Sequence, residues 1–306
     1  MNRAKILSST LLLLFTHLTQ AQMTNPATDV NFLILPDGRN LKNIVVSGRA
    51  LSLTHGTGMA FSAIEQAAYR KVKEESQTKG ELVHWVLMDL DNHTVIDQSL
   101  NTDRRQFGAS VSKIFVGATL TDKQNGKIST NQLQLMTEMI VVSSNTAWSA
   151  LQTEIGDGNF GRGMEPNFNF TQRMGYVRTR GWSGTWNGLH GNELTAKELV
   201  EFLYDTYHGR YPGAAIVWKI MHTGRTGGQR AKKYIPADIF VGGKTGTYDG
   251  QSPMSEGPTN VRVRHQVIVF NIHGREYGLA ILAGTGSEET AALLAGGLIR
   301  EYTGLQ

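Results

Sequence analysis

The chain contains no cysteine among its 306 residues. It therefore has no disulfide bond, no cysteine for lipid attachment, no thiol nucleophile and no cysteine-based metal site. The nine histidines show neither an H-E-x-x-H motif nor a comparable ligand spacing, so we predict no metal ion and no other cofactor. We expect the chemistry of this protein to depend on hydroxyl, amine and carboxylate side chains.

A large excess of charge of one sign is also missing. The chain has 30 lysine and arginine residues against 26 aspartate and glutamate residues, a formal net charge of +4. So small an excess does not indicate nucleic-acid binding, which uses many phosphate contacts. We interpret the basic stretch 225–233 either as a solvated loop or as contacts to a substrate carboxylate.

Long hydrophobic runs are missing except near the N-terminus. Arg3 and Lys5 precede an apolar stretch at residues 6–18, and small residues follow before Gln22. This pattern predicts a secretory signal peptide at residues 1–21. The apolar stretch is too short to span a membrane comfortably, although an uncleaved anchor is the alternative. We expect a periplasmic or secreted bacterial protein with no stable membrane insertion after cleavage.

The first of three short motifs is Ser110-Val111-Ser112-Lys113. On a helix, this spacing places the hydroxyl and the amine on one face, one turn apart. Apolar residues 114–120 predict a buried helix, whose positive end favours an alkoxide at Ser110. A lysine held neutral by burial can take the serine proton. The structural alternative is a capping serine beside an extended lysine. A second S-x-x-K, at residues 76–79, looks like a solvated helix end.

Two further motifs follow along the chain. Ser143-Ser144-Asn145 lies between predicted helices and offers a second hydroxyl for proton relay and an amide to hold a substrate. Lys244-Thr245-Gly246 lies in a predicted strand with glycines on both sides, which suits close approach of a backbone or ligand. The structural alternatives are a polar helix cap for the first and a strand-to-turn junction for the second.

The three motifs in this order resemble the penicillin-recognising serine hydrolases, meaning serine β-lactamases and penicillin-binding D,D-peptidases, closest in layout to class A. The resemblance covers roughly residues 58–306. It implies an α/β (α+β) fold with an antiparallel sheet built from both chain ends, flanking helices and an all-helical insertion. The implied division is an N-terminal extension at 22–57 without a counterpart, an α/β part at 58–109 and 227–306, and a helical part at 110–226.

The resemblance also implies roles for individual residues. The catalytic set is the nucleophile Ser110, its base Lys113, the proton shuttle Ser143 and the electrostatic group Lys244. The substrate-binding set is Asn145, Thr245, Gly246 and Thr247. Backbone N–H groups of Ser110 and Thr247 would form the oxyanion hole. Arg262 or Arg264 would either bind a substrate carboxylate or remain a solvated charge at the sheet edge.

Deacylation is where the sequence departs from class A. That class carries a glutamate, followed four residues later by an asparagine, on a catalytic loop. Glu165 and Asn169 match these letters, but they come just before the helix predicted to precede that loop. The loop itself corresponds to residues 180–191, which contain no carboxylate. Glu165 is therefore only the alternative deacylation base, and we expect Glu193 to cap the next helix.

These observations predict an exported serine hydrolase that forms an acyl-enzyme on Ser110. We expect it to act on small-molecule β-lactams or on peptidoglycan peptides of the D-Ala-D-Ala type, like a penicillin-binding D,D-peptidase. The alternatives are a true class A-like β-lactamase, a non-hydrolytic periplasmic binder of β-lactams or muropeptides, and a related esterase. The sequence does not predict an oligomeric state.

Overall fold

A computed structural model describes residues 23–80, 83–180, 192–254 and 260–305. The predicted signal peptide at 1–21 and residues 181–191 of the predicted catalytic loop lie outside the described residues. The helices are α1 Ala63–Thr78, α2 Lys113–Lys123, α3 Thr130–Val141, α4 Asn145–Ile155, α5 Met164–Arg173, α6 Ala196–Tyr207, α7 Ala214–Met221 and α8 Glu288–Thr303. The strands are β1 Val45–Val46, β2 Arg49–Ala50, β3 Val83–Asp89, β4 Thr94–Gln98, β5 Gln106–Phe107, β6 Glu193–Leu194, β7 Val241–Gln251, β8 Asn260–Ile272 and β9 Arg275–Ala283.

The main sheet has the strand order β4-β3-β9-β8-β7, and each neighbouring pair is antiparallel. Two of its strands come from the first third of the chain and three come from the last quarter, so both chain ends build it. The predicted β3–β4 hairpin is present. The structure confirms the predicted fold class, and it leaves β7 at one edge of the sheet.

Alternating side chains give the sheet two buried faces. Val86 and Met88 of β3 join a core with residues of α2, α3, α4, α6 and α7. Trp85 and Leu87 of the same strand join a second core with residues of α1 and α8. Successive side chains of a strand point to opposite faces, which explains why β3 is apolar along most of its length. The sheet therefore lies between two helical layers.

The N-terminal extension packs into the helical core. Phe32, Leu33 and Leu35 are all buried there. Two apolar runs on either side of Pro36-Asp37-Gly38 predict a hairpin, but the chain forms turns with one isolated bridge there, and the extension's short hairpin is β1–β2 instead. The reason is that these apolar side chains pack against the helices of the core. They therefore do not alternate with polar residues along a strand, as a hairpin would require. Thr54 then exchanges backbone and side-chain hydrogen bonds with Val241 at the start of β7.

The expectation that Glu193 caps a helix is wrong. Glu193 lies in β6, paired with Phe107 of β5, and α6 begins later, at Ala196. Thr195 is the N-cap, because its hydroxyl accepts a hydrogen bond from the backbone N–H of Glu198 at 3.1 Å. A threonine hydroxyl at this position satisfies one of the free N–H groups of the first turn, which leaves the carboxylate of Glu193 for other contacts.

Glu276 is a buried carboxyl group in β9, and it leads to a prediction about stability. Burial raises its pKa to about 8, with a smaller upward effect of the Asp91 carboxylate. An unfolded chain loses this proton near its ordinary pKa of 4.5, so stability falls as pH rises between these values. We expect Glu276→Gln to remove this loss and raise the free energy of unfolding at pH 8.5 by about 3 kcal/mol, measured by urea denaturation.

The control for this prediction is Glu75→Gln, because Glu75 is exposed on α1. It should change the free energy of unfolding little at either pH. A wild-type protein whose stability does not decline between pH 5.5 and pH 8.5, relative to Glu276→Gln, would show that Glu276 ionises without cost in the folded state.

Candidate active site

Ser110, the candidate nucleophile, lies in a 3-10 turn, Ala109–Ser112, that leads from β5 into α2. Ala109 has a φ of 46°, a sparsely populated conformation for a residue with a Cβ. The N-cap residues of the turn and of α2 are Gly108 and Ser112, so Ser110 caps neither. Its half-buried side chain makes no hydrogen bond to another residue in the described part of the chain. Among the described residues, none therefore occupies this hydroxyl.

The second S-x-x-K motif has a structural role. Ser76 is buried near the end of α1, and its hydroxyl accepts a hydrogen bond from Trp85 Nε1 at 2.8 Å. It also donates to the carbonyl oxygen of Lys73 at 2.7 Å. The prediction of a solvated helix end is wrong for Ser76, because the Trp85 indole needs a buried acceptor. The Ser76 hydroxyl therefore already donates one hydrogen bond and accepts another.

Lys113 is buried, with 3% of its surface exposed. Its Nζ lies 2.7 Å from the carbonyl oxygen of Ser143 and 2.6 Å from Oδ1 of Asn145. Burial lowers the pKa of Lys113 to about 8, because removal from water disfavours the charged form. A neutral amine has two N–H groups, which match the two close acceptors, and one lone pair. That lone pair is able to accept a proton.

Ser143 joins the two lysines of the motifs. Its Oγ accepts a hydrogen bond from Lys244 Nζ at 2.8 Å and lies 3.5 Å from Lys113 Nζ. Ser143 has a φ of 62°, an uncommon backbone conformation for serine. The capping role belongs to its neighbour Ser144, which accepts a hydrogen bond from the N–H of Ala147 and begins α4. The structural alternative of a polar cap therefore applies to Ser144 and not to Ser143.

Lys244 lies on the edge strand β7 and is fully buried. Burial lowers its pKa well below the ordinary value, and the positive charges of Lys113 and Arg230 lower it further. Two residues on, a Cβ at Gly246 would lie 2.8 Å from the carbonyl oxygen of Gly108. Only glycine fits at this distance. The glycine of the K-T-G motif thus lets β7 approach the turn that carries Ser110.

The remaining substrate-binding candidates surround this group. Asn145 is exposed, and its side-chain oxygen faces Lys113. Thr245 is buried on β7, whereas Thr247 is exposed on the same strand. The structure therefore brings the S-x-x-K, S-x-N and K-T-G motifs to one place, between the edge of the sheet and the helical layer. Sites commonly lie at such a boundary.

Arg230 belongs to this site, and the sequence analysis did not single it out. It is only 5% exposed, and its Nη2 donates to Oγ1 of Thr247. Its Nη1 donates to the carbonyl oxygen of Gly246 at 3.0 Å. It therefore fixes the strand segment that includes the expected oxyanion N–H of Thr247. The stretch 225–233 offered no spacing signal that would separate this buried arginine from its basic neighbours.

The arginines on β8 differ from each other. Arg264 lies opposite Thr247 in the β-ladder and forms a two-pronged ion pair with Asp249 at 2.8 and 2.9 Å. Arg262 lies opposite Asp249 and is exposed. Arg264 is thus a paired residue beside the site, and Arg262 is a charge at its outer edge.

Glu165, the alternative deacylation base, and Glu193, the expected helix cap, lie in different environments. Glu165 is exposed on the first turn of α5, and within the described residues no hydrogen bond connects it to Ser110 or Lys113. Glu193 is buried, and its Oε2 lies 2.9 Å from Arg180 Nε and 3.2 Å from Arg105 Nε. Both arginines thus engage the same oxygen of the Glu193 carboxylate. Whether Glu165 supports deacylation stays a prediction.

Residues 117–298, more than half of the chain, match a family model described as the beta-lactamase enzyme family. The chain belongs to this family. The matched segment of this β-lactamase-family protein includes Ser143 and Lys244 but begins after Ser110 and Lys113. Among curated proteins, no relative matches the chain. Family membership and fold make the protein a serine hydrolase of the β-lactamase superfamily.

Solved structures of β-lactamases share its fold. TLA-3 extended-spectrum β-lactamase is 14% identical with a TM-score of 0.61, and the alignment covers 78% of this chain and 98% of that one. A β-lactamase from Xanthomonas campestris is 17% identical with a TM-score of 0.59, covering 78% and 97%. A class A β-lactamase from Bacteroides cellulosilyticus is 16% identical with a TM-score of 0.55, covering 76% and 93%. At these identities the similarity shows the fold alone.

Proposed function

We propose that this β-lactamase-family protein is an exported serine hydrolase that acts through an acyl-enzyme on Ser110. Its substrates are β-lactams or peptides of the D-Ala-D-Ala type, and its activity is that of a penicillin-binding D,D-peptidase. The observation that carries the proposal is the position of Ser143 Oγ, which lies 2.8 Å from Lys244 Nζ and 3.5 Å from Lys113 Nζ. A hydroxyl between two lysines of lowered pKa is suited to proton relay.

The reaction starts with the hydroxyl of Ser110. Its oxygen attacks the substrate carbonyl carbon while the neutral amine of Lys113 takes the proton. Backbone N–H groups of Ser110 and Thr247 stabilise the oxyanion, at about 3 kcal/mol for each donor. The carbon–nitrogen bond then breaks, and the proton passes from Lys113 through Ser143 to the leaving nitrogen. Water later cleaves the ester, which releases the acid and restores the serine.

The test is the pH dependence of acylation. If Lys113 must be neutral, the rate should rise with pH and reach half of its maximum near pH 8, because burial lowers the pKa of Lys113 to about 8. Lys113→Arg should lose almost all acylation, since a guanidinium does not give up its proton. The measurement is intact-protein mass after short incubations with a penicillin, from pH 6 to pH 10.

Lys232 provides a matched control, because burial lowers its pKa to about 8 as well. Its Nζ donates to Thr54 and to the carbonyl oxygen of Gly224. Lys232→Met should retain the wild-type pH profile if it folds, as checked by its melting temperature. A flat wild-type profile, or rapid acylation of Lys113→Arg, would remove Lys113 from the role of base. Absence of any adduct on wild type would contradict the proposed function.

A second candidate function is that of a true β-lactamase, and the family match favours it. The two functions share acylation and differ in how fast water releases the acyl group. The proposal of a D,D-peptidase depends on the sequence of residues 180–191, which contains no carboxylate to activate water. The proposed export depends on the sequence of residues 1–21. No helix in the described ranges is long and apolar enough to cross a membrane.

A further inference from the structure

Segment 222–225, which follows α7, packs closely against the strand of Lys244. A Cβ at Gly242 of β7 would lie 2.9 Å from the main chain of this segment, and a Cβ at Gly224 would lie 2.6 Å from the carbonyl oxygen of Gly243. Contacts this short require glycine. The two glycines that precede Lys244 in the sequence therefore allow the close approach of a backbone, that of segment 222–225.

The same segment contacts the helix that leads to Ser143. The backbone N–H of Arg225 donates to the carbonyl oxygen of Val141 at 2.9 Å. Val141 is the last residue of α3, where carbonyl groups have no partner within the helix. Ser143 follows with its uncommon positive φ. Segment 222–225 therefore contacts the main chain next to both partners of the hydrogen bond between Ser143 and Lys244.

The N-terminal extension holds this segment through the side chain of Arg225. Nη1 donates to the carbonyl oxygen of Val46 at 2.6 Å, and Nη2 donates to those of Arg49 and Ala50, both at 2.9 Å. All three oxygens belong to the β1–β2 hairpin. The planar guanidinium fixes the direction of each N–H donor, so Arg225 links the hairpin to the segment in one geometry.

Thr54 is a second link between the extension and the segment. Its backbone N–H donates to the carbonyl oxygen of His222 at 2.9 Å. Its Oγ1 lies 3.1 Å from the same oxygen and 2.7 Å from the carbonyl oxygen of Val241. Its own carbonyl oxygen accepts a hydrogen bond from the N–H of Val241 at 2.9 Å. This one residue of the extension therefore joins the start of the segment to the start of β7.

We propose that the N-terminal extension is a positioning element of the active site. Arg225 is the positioning residue through which the extension fixes Ser143 relative to Lys244. The inference rests on the proposed function, in which Ser143 passes a proton to the leaving nitrogen. Because a displacement of about 1 Å can lower a rate about a hundredfold, loss of this link should slow the proton relay.

The experiment compares two acyl donors that share a phenylacetylamino group and differ in their leaving group. Benzylpenicillin needs a proton on its leaving nitrogen, whereas the thioester of phenylacetylglycine with thioglycolate releases a thiolate, which leaves as an anion. In the thioester reaction the carbon–sulfur bond breaks as the Ser110 ester forms, and the proton that Lys113 takes passes to water. We expect Arg225→Met to lower the second-order rate constant of acylation about tenfold for benzylpenicillin and less than about twofold for the thioester.

The rate constants are measured by adduct mass for benzylpenicillin and by release of free thiol for the thioester. The final amount of penicilloyl adduct per protein gives the folded fraction, so a variant that only loses stability lowers this amount and leaves the ratio of the rate constants unchanged. Arg225→Lys is the second variant, and it carries the test if Arg225→Met does not fold. A single ammonium does not reproduce the donor geometry of the guanidinium, so the penicillin rate constant should fall about threefold.

The matched control is Arg39→Met, because Arg39 is an arginine of the extension whose guanidinium bonds Asp37 in its own turn. It should leave both rate constants unchanged. If both donors acylate wild type and the Arg225 variants slow them equally or not at all, the positioning role is wrong while the proposed function stands. A selective loss in Arg39→Met would also overturn the role, as a general effect of charge in the extension. If neither donor acylates wild type, the proposed function fails and this inference fails with it.

Discussion

Ser110→Ala should abolish covalent labelling by a fluorescent penicillin and leave the melting temperature nearly unchanged. The expected loss is complete because the hydroxyl of Ser110 is the proposed nucleophile, whereas the hydroxyl of Ser143 accepts a hydrogen bond from Lys244 and serves as the proton relay. The stability should be preserved because the hydroxyl of Ser110 is half-buried and makes no hydrogen bond to a described residue, so its removal leaves no buried partner unsatisfied. The measurements are in-gel fluorescence and a thermal melt.

Ser112→Ala is the matched control, since it removes a hydroxyl from the same turn. The hydroxyl of Ser112 is buried and donates to the carbonyl oxygen of Ala109 at 2.8 Å. This variant should keep the label and lose some stability. Peptide mapping of the labelled protein should place the adduct on Ser110. Labelling that survives in Ser110→Ala, or an adduct found on Ser76, would exclude Ser110 as the nucleophile.

The sheet could be predicted from the sequence because its signals are local. β3, β9 and the second half of β8 are buried along most of their length, so each shows a nearly continuous apolar run. Apolar residues at helical spacing predict a helix from Met59 to about Glu75, and α1 begins instead at Ala63. The reason is also local, since Ser62 and Glu65 form a capping box, which outweighs the spacing of apolar residues.

The N-terminal extension shows what local patterns do not determine. Its apolar residues gave no indication of where they are buried, because the helices that they cover come much later in the chain: Val45 contacts Gln134 and Phe32 contacts Lys219, at separations of 89 and 187 residues. Arg225 donates hydrogen bonds to the carbonyl oxygens of Val46, Arg49 and Ala50. Lys219 donates to the carbonyl oxygen of Phe32. Contacts of this kind depend on the folded backbone and leave no periodic signal in either partner.

The sequence predicted which residues form the candidate site but not which hydrogen bonds they make there. Three motifs with suitable spacing indicated which side chains meet, and the structure brings them together. Ser144 is the cap and Ser143 faces the lysines because Ser143 has a positive φ. No feature of the sequence around Ser143 indicates this backbone conformation. Arg230 was missed because it joins the site from a loop that lies outside every motif.

The penicilloyl adduct on Ser110 should persist for minutes or longer, which is the largest difference between the two candidate functions. Residues 180–191 contain no carboxylate to activate water. The buried Glu193 is held by two arginines, and the exposed Glu165 makes no hydrogen bond to Ser110 in the described structure. Glu165→Gln should therefore change the lifetime of the adduct little. The measurement is the decay of adduct mass after removal of free penicillin.

A rapid turnover would reverse this conclusion in one of two ways. If wild type releases the acyl group quickly and Glu165→Gln accumulates it, Glu165 is the deacylation base and the protein is a true β-lactamase. If both proteins release it quickly, the water is activated by another group, and the neutral Lys113 is the candidate for that group. Its participation would appear as a deacylation rate that rises with pH through about 8, because burial lowers the pKa of Lys113 to that value. Only a long-lived adduct in both proteins agrees with a D,D-peptidase that penicillin blocks.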